Sequence, residues 1–225
     1  MKVTFIGKVA VAKNIYSFSF KPPKKPHYVA GQFVEMQLPH ENKDKRGDKR
    51  WFTLSSSPTE DELIITTKIL PESGSSYKTA LANLNPGQEV NMSSPMGDFV
   101  LPKDKSVPLL FIAGGIGCTP FHSICQFVAD RGEQRDIALV YVASSPEEIA
   151  FKGTFDKLGN KFIEITGERT DAASILQKVG SLNDKTLLYI SGPEPFVELL
   201  QAGFKELGVN KKRIHTDFFP GYTNL

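Results

Sequence analysis

A four-residue stretch, Arg50-Trp51-Phe52-Thr53, combines a guanidinium group, aromatic rings and a hydroxyl within one predicted β-strand. Because strand side chains alternate, Arg50 and Phe52 share one face. Arg50 could then grip a phosphate in a bidentate manner while Phe52 lies against a flat ring system. Thr53 could hydrogen-bond the edge of that ring. The pattern suits a flavin, although an ordinary barrel strand with an exposed arginine and a core phenylalanine is the alternative.

A second stretch, residues 109–120, is an apolar run that breaks into glycines and then into a predicted helix over 120–131. The apolar run predicts a strand buried on both faces, and Gly115 and Gly117 let backbone N–H groups approach a ligand. Thr119 is expected to cap the helix, with Pro120 at its first position. Free amides and the helix dipole would then face an anion, most simply a pyrophosphate. A tight turn without a ligand is the alternative.

The hydrophobic pattern divides the chain into two parts. Up to about residue 102, short bursts of alternating apolar and polar residues predict an antiparallel sheet, interrupted by one short helix at 76–84. Beyond it, apolar strands alternate with helical segments, one of them at 147–158, which predicts a parallel α/β sheet. We therefore predict two domains, an antiparallel β-barrel over residues 1–102 and an α/β parallel-sheet domain over 103–225.

A second glycine-containing turn, Ser191-Gly192-Pro193, follows another predicted strand of the α/β part. Ligands of open parallel sheets bind beyond the carboxyl ends of the strands. Gly192 allows close backbone approach, and Pro193 stiffens the turn. Both glycine turns are therefore expected to face one nucleotide.

Composition excludes several classes of protein. The 27 Lys and Arg residues nearly balance the 25 Asp and Glu residues, so a nucleic-acid partner is not expected. The four histidines lack metal-ligand spacing, which predicts no metal site. No apolar run reaches the roughly 20 residues that span a bilayer, so no membrane insertion is expected. The chain starts without a signal-peptide pattern, and we predict a cytoplasmic location.

Taken in order, these motifs resemble those of the ferredoxin-NADP reductase superfamily of flavoprotein reductases. The turn at 114–120, with its Thr-Pro ending, is the most specific match. Phe52 stands where many members have tyrosine, and Ser191 stands where many have cysteine. The other matching segments are Ala30-Gly31-Gln32-Phe33, Gly74-Ser75-Ser76-Tyr77-Lys78, Met96-Gly97-Asp98-Phe99 and the acidic-aromatic tail at 215–222.

The resemblance implies that FAD, or alternatively FMN, binds the barrel and that NADH or NADPH binds the α/β domain, with hydride transfer between them. Thr53, Ser191 and Phe219 are the implied catalytic residues, and Asp217 could hold a nearby proton or hydrogen bond. The implied cofactor-binding residues are Arg50, Trp51, Phe52, Thr53, Gly74, Ser75, Ser76, Gly115, Gly117, Cys118, Thr119, Pro120, Gly192, Pro193 and Tyr222.

The donor and the acceptor are less specified by sequence. Ser144 and Ser145 could contact either ribose, whereas Glu147 and Glu148 would repel a 2′-phosphate, which favours NADH. Electrons are expected to pass to a separate ferredoxin-like or flavodoxin-like acceptor, and lysine-rich loops at 21–25 and 43–49 could dock an acidic partner. An electron-transfer subunit of a larger complex and a flavin-free nucleotide-binding module are the alternatives.

Overall fold

The computed structural model describes residues 1–70 and 75–219, with only the backbone of residues 218 and 219. Its first domain is a six-stranded antiparallel sheet in the order β4-β3-β6-β1-β2-β5. A bridge between Leu54 and Ile65 joins the end of β4 to β5, so the two edges of the sheet meet and close a barrel. The strands are β1 Lys2–Ala12, β2 Ile15–Lys21, β3 Phe33–Gln37, β4 Lys49–Thr53, β5 Leu63–Lys68 and β6 Glu89–Met92, with helix α1 Ser76–Ala82 between β5 and β6.

The second domain is a five-stranded parallel sheet in the order β11-β10-β7-β8-β9. Strand β7 is buried along its whole length, as its continuous apolar sequence predicts. The strands are β7 Leu109–Gly114, β8 Ile137–Ala143, β9 Phe162–Thr166, β10 Leu187–Pro193 and β11 Ile214–Phe219. The helices are α2 Thr119–Asp130, α3 Lys152–Phe155, α4 Ala172–Val179 and α5 Glu194–Glu206.

One helix was predicted wrongly. The segment 147–158 is not a single helix but a 3₁₀ turn at Pro146–Glu148, the one-turn helix α3 and a further 3₁₀ segment, Asp156–Lys161. Phe151 has a φ of 60°, in the left-handed region, which interrupts a right-handed helix just before α3. Gly159, inside this last segment, has a φ of 61° and divides it by a kink.

Apolar side chains of the two domains pack against each other. Phe99, at the end of the barrel, contacts the rings of Phe121 and Tyr189 at centroid distances of 5.7 and 5.1 Å. The Tyr189 hydroxyl donates to the carbonyl of Val100 at 2.9 Å. The predicted fold class is confirmed, and none of the helices in the described ranges is long and apolar enough to cross a membrane.

Candidate active site

Strand β4 presents its side chains in the predicted alternation. Arg50 and Phe52 both pack against Tyr77 of α1: the guanidinium carbon lies 4.8 Å from the Tyr77 ring centroid, and the Phe52 ring lies 6.0 Å from it. Trp51 points to the other side, where it contacts Phe33 and keeps 62% of its surface exposed. Thr53 is buried on that side. Trp51 therefore lies on the face of the strand opposite to Arg50, and a contact between Trp51 and a cofactor stays a prediction.

Arg50 is held by the loop that precedes its own strand. Its Nη2 donates to both carboxylate oxygens of Asp44 at 2.8 Å. Its Nη1 donates to the carbonyls of Arg46, Gly47 and Lys49 at 3.2, 3.0 and 2.7 Å. The Nε of Arg50 is buried and has no hydrogen-bond partner among the described residues. One N–H of the guanidinium is therefore still without an acceptor.

Asp44 has a second basic neighbour. The Arg46 guanidinium donates to it at 2.8 Å, and the Arg46 backbone N–H donates at 2.9 Å. Chiefly because of the hydrogen bond from the Arg46 side chain, the pKa of Asp44 is lowered to about 2. The carboxylate is therefore charged at neutral pH, and it would keep partners if Arg50 turned toward another anion.

The segment at the start of α1 approaches this arginine through Tyr77. Ser75 caps the helix, its hydroxyl accepting from the Lys78 backbone N–H at 3.4 Å. The Ser76 hydroxyl lies 3.1 Å from Nε2 of His40, whose Nδ1 lies 2.8 Å from the Leu38 carbonyl. Because a carbonyl only accepts, Nδ1 of His40 carries a proton and donates to Leu38. Sequence reasoning missed His40, since no local pattern signals a contact 36 residues away.

The glycine turn after β7 differs from the prediction in two respects, the first being that Pro120 is the second residue of its helix and not the first. Thr119 is not the helix cap: residues Gly115–Cys118 form a 3₁₀ turn that runs directly into α2, whose first residue is Thr119. The Thr119 hydroxyl donates to the Ile116 carbonyl at 3.2 Å instead of accepting from the helix. The helical conformation of Cys118 continues the 3₁₀ turn and leaves no extended residue in which a cap could act.

The glycines of this turn serve two different needs. A Cβ on Gly117 would lie 2.2 Å from the carbonyl oxygen of Ser191, so this glycine lets the two predicted nucleotide turns pack against each other. Gly192 lies against the other side of the contact, where a Cβ would come within 3.1 Å of Gly114. Gly115 instead has a φ of 52° and open space beside it. It is the position in this turn with room for a ligand.

Three polar side chains from both domains meet beside these turns. In the register of β10 and β11, Ser191 lies opposite Asp217, and its hydroxyl donates to the carboxylate at 3.4 Å. Thr53 of the barrel lies close enough to Asp217 to lower the pKa of its carboxyl group. Burial raises the pKa of Asp217 from 3.8 to about 6, against the lowering effect of these two hydroxyls. The site therefore holds a carboxyl group that takes up a proton in mildly acidic solution.

The remaining predicted site residues are Cys118, one proline beside each glycine turn, and residues at or beyond the ends of the described ranges. The side chain of Cys118 lies in the α/β core, where burial raises the pKa of its thiol to about 12, so the predicted nucleotide contact falls to its backbone. Pro120 is buried in the first turn of α2, and Pro193 precedes α5. The side chain of Phe219 lies outside the described part of the chain, as do Gly74 and Tyr222.

These features fit a phosphorylated flavin on one side and a dinucleotide on the other. The unpartnered Nε of Arg50 is a cationic donor that requires an acceptor, and a phosphate oxygen is a suitable one. Gly115 combines a positive φ with an open side, as a backbone cradle for a phosphate requires. The arrangement can thus bind two phosphorylated groups, with Thr53, Ser191 and Asp217 between them.

Comparison with known proteins agrees with this division. Residues 2–101 match the oxidoreductase FAD-binding domain, and residues 111–202 match the oxidoreductase NAD-binding domain. The chain is 29% identical over 238 residues to flavohemoprotein A of Dictyostelium discoideum, covering 97% of this chain and 60% of that protein. It is 25% identical to terephthalate 1,2-dioxygenase reductase component 1 of Comamonas sp, covering 87% of this chain and 60% of that protein.

A solved structure gives the same result for the fold. Ferredoxin-NADP⁺ reductase from Plasmodium falciparum superposes with a TM-score of 0.79 at 20% identity, covering 97% of this chain and 95% of that one. The chain spans only about 60% of the length of the two curated relatives above. The predicted FAD and NAD(P)H cofactors are confirmed by the two domain matches. The chain therefore belongs to the ferredoxin-NADP reductase superfamily, with the FAD-binding domain followed by the NAD-binding domain.

Proposed function

We propose that this protein is an FAD-dependent reductase that takes electrons from NADH or NADPH and passes them to a separate acceptor. The observation that carries the proposal is the meeting of Thr53, from the flavin strand, with Ser191 and Asp217, from the nucleotide-binding sheet. A site built from both domains is required if two cofactors, one held by each domain, are to react with each other.

In this proposal, Arg50, Ser75 and Ser76 would hold the flavin phosphates, with Gly74 in the same segment, and Phe52 would support the ring. Bound FAD supplies the chemistry, accepting a hydride from reduced nicotinamide and releasing electrons to the acceptor. The turns at Gly115–Thr119 and Gly192 would hold the dinucleotide. Phe219 and Tyr222 stay predicted as residues beside the nicotinamide.

The remaining task of the chain is to orient the Asp217 carboxyl group and to hold a proton on it. The Ser191 hydroxyl donates to the carboxyl group of Asp217, and Thr53 lies beside that group, so both can orient it. With a pKa of about 6, Asp217 is mostly ionised at neutral pH and protonated below that value. It can therefore exchange a proton within the site at a pH close to neutral.

The residues after β8 support NADH as the donor. The Ser145 hydroxyl and the positive charge of Lys13 lower the pKa of Glu147 and favour its charged form. Lys68 pairs with Glu148 at 2.7 Å and neutralises it. Glu147 forms no ion pair within the described residues, so its carboxylate remains close to where an adenosine ribose would lie at the end of this strand. A 2′-phosphate there would be repelled.

The acceptor surface that we propose lies on the outer face of β4. Trp51 and Met96 are exposed there and both contact Phe33. The adjoining loop carries four cations, Lys43, Lys45, Arg46 and Lys49, of which Lys43, Arg46 and Lys49 are paired with acidic residues. An apolar centre with a partly basic rim suits an acidic redox protein. The name of the Comamonas relative, a dioxygenase reductase component, supports a protein acceptor.

The test starts with the visible spectrum of the protein, as purified and after addition of FAD. NADH and NADPH are then added separately without oxygen. We expect flavin bands that bleach faster with NADH, followed by rapid reduction of ferricyanide as a small artificial acceptor. Failure to take up FAD or FMN would overturn the reductase assignment, whereas flavin uptake without bleaching would favour an electron-transfer subunit that requires a partner.

A further inference from the structure

A histidine outside the groups assigned above ties the two domains together. His122 lies on α2, three residues after Thr119, and its Nδ1 is 2.8 Å from the carbonyl oxygen of Ser55, two residues after Thr53. Its ring stacks on Phe151 with a centroid distance of 3.8 Å and an interplanar angle of 22°. The imidazole therefore spans the short path between the nucleotide turn and the flavin strand.

The contact determines the chemical form of the ring. A carbonyl oxygen can only accept a hydrogen bond, so Nδ1 of His122 must carry the proton. Burial lowers the pKa of His122, although the bond to Ser55 acts in the opposite direction. The ring is thus neutral at pH 7, with its second nitrogen, Nε2, unprotonated. Its role in this state is to donate a fixed hydrogen bond.

The neighbouring residue makes a parallel contact. The Ser123 hydroxyl donates to the carbonyl of Ser56 at 2.5 Å. The receiving segment is itself fixed to the barrel, because the Ser55 N–H donates to the Ile64 carbonyl at 2.8 Å and the Ile64 N–H donates to the Ser56 hydroxyl at 3.0 Å. Two consecutive residues of α2 are therefore attached to a braced part of the barrel wall.

From this geometry we propose that His122 is a positioning residue for hydride transfer, setting the separation of the nucleotide turn from the flavin strand. The proposal rests on the proposed reductase function. Both ends of the contact lie within three residues of site residues, Thr119 and Thr53. A displacement of about 1 Å between reacting groups can lower a rate about 100-fold, so a small shift of α2 would affect the reaction while leaving each cofactor site intact.

The first test compares three variants. His122→Leu removes the donor, His122→Asn keeps an N–H donor near the position of Nδ1, and Gln126→Leu is the control one turn further along α2. For His122→Leu we expect kcat for ferricyanide reduction to fall about 10-fold or more, with KM for NADH and FAD affinity nearly unchanged. His122→Asn should recover most of that loss. A wild-type kcat in His122→Leu, or no recovery in His122→Asn, would overturn the positioning role.

The second test does not depend on turnover. Nitrogen-15 NMR of protein labelled at histidine, recorded without cofactors, should show a neutral His122 ring protonated at Nδ1, assigned by its loss in His122→Asn. Protonation at Nε2 alone would refute the contact. If His122→Leu does not fold, Ser123→Ala replaces it, with a smaller loss of kcat expected. Failure of the wild-type protein to take up flavin would overturn the reductase function, while the NMR result would still decide the contact.

Discussion

The flavin side and the nucleotide side of the site are built by different means. On the flavin side, the binding group that we propose is the long charged side chain of Arg50, which the Asp44 loop already holds through several hydrogen bonds. On the nucleotide side, the proposed binding groups are backbone amides in two glycine turns that touch each other at Gly117 and Ser191. A side-chain site can exchange partners, whereas a backbone site must be formed before its ligand arrives.

The difference predicts how each half responds to substitution. Loss of a side chain removes binding energy without disturbing the barrel, because the strand is held by its own ladder with β3. An added methyl group in the glycine turns would instead force two chain segments apart. Substitutions on the flavin side should therefore lower flavin affinity by degrees. Substitutions in the glycine turns should instead abolish nucleotide binding.

The largest effect is expected for Gly117→Ala. Its Cβ would lie 2.2 Å from the Ser191 carbonyl, so the two turns must separate. Overpacking of this kind costs about 1–3 kcal/mol of folding free energy, and we expect NADH binding to be lost in parallel. Denaturant unfolding and NADH titration measure the two effects. Gly153→Ala, where the new Cβ would meet no other segment of the chain within 4 Å, is the control and should lower neither the stability nor NADH binding.

A graded effect is expected for Arg50→Ala. Hydrogen bonds to charged groups contribute about 1.5–3 kcal/mol each, so FAD affinity should fall about 10- to 100-fold. Binding of riboflavin, which lacks the phosphate, should change little. Equilibrium dialysis against each flavin measures the difference. Equal losses for FAD and riboflavin would show that Arg50 does not contact the phosphate.

Asp44→Asn complements Arg50→Ala, because it is expected to change FAD affinity in the opposite direction. It removes the negative charge beside Arg50 and should raise FAD affinity a few-fold, in keeping with the roughly 0.2–1 kcal/mol of a partly exposed ion pair. Asp48→Asn, which breaks the pair with Lys43 in the same loop, is its control and should have no such effect. Weaker FAD binding in Asp44→Asn would mean that Asp44 orients Arg50 for the phosphate.

The smallest effect concerns the boundary between the two halves, at Asp217. Its pKa rises from 3.8 to about 6 in the folded chain, so the unfolded chain loses this proton first as pH increases. The resulting destabilisation develops between about pH 4 and pH 6 and is constant above that range. Asp217→Asn should therefore match the wild-type Tm near pH 4 and exceed it at pH 8, where each 1 kcal/mol shifts Tm by about 2–4 °C.

Thermal unfolding at these two pH values decides the point. A variant that is stabilised equally at pH 4 and pH 8 would show that the ionisation of Asp217 is not responsible. A variant that is less stable at pH 8 would show that the hydroxyls of Thr53 and Ser191 stabilise the charged form more than burial opposes it.

Much of the fold and part of the site could be predicted from local sequence. The alternation of β4 correctly placed Arg50 and Phe52 on one face, and the apolar run of β7 correctly predicted a buried strand. The helix at 147–158 was predicted wrongly because the left-handed conformation of Phe151 is set by its packing, including the stack on His122. The contacts of His40 and His122 gave no local signal at all.

The sequence by itself determined the order of the two domains, the strand periods and the two glycine turns, because each depends on conformational preferences within a few neighbouring residues. Tertiary structure alone decided that Gly117 is needed for packing against Ser191, that Asp44 holds Arg50, and that Thr53 meets Asp217. Contacts between Thr53 and Asp217 join residues far apart in the chain. Their geometry depends on how the two sheets pack, and no local pattern records that packing.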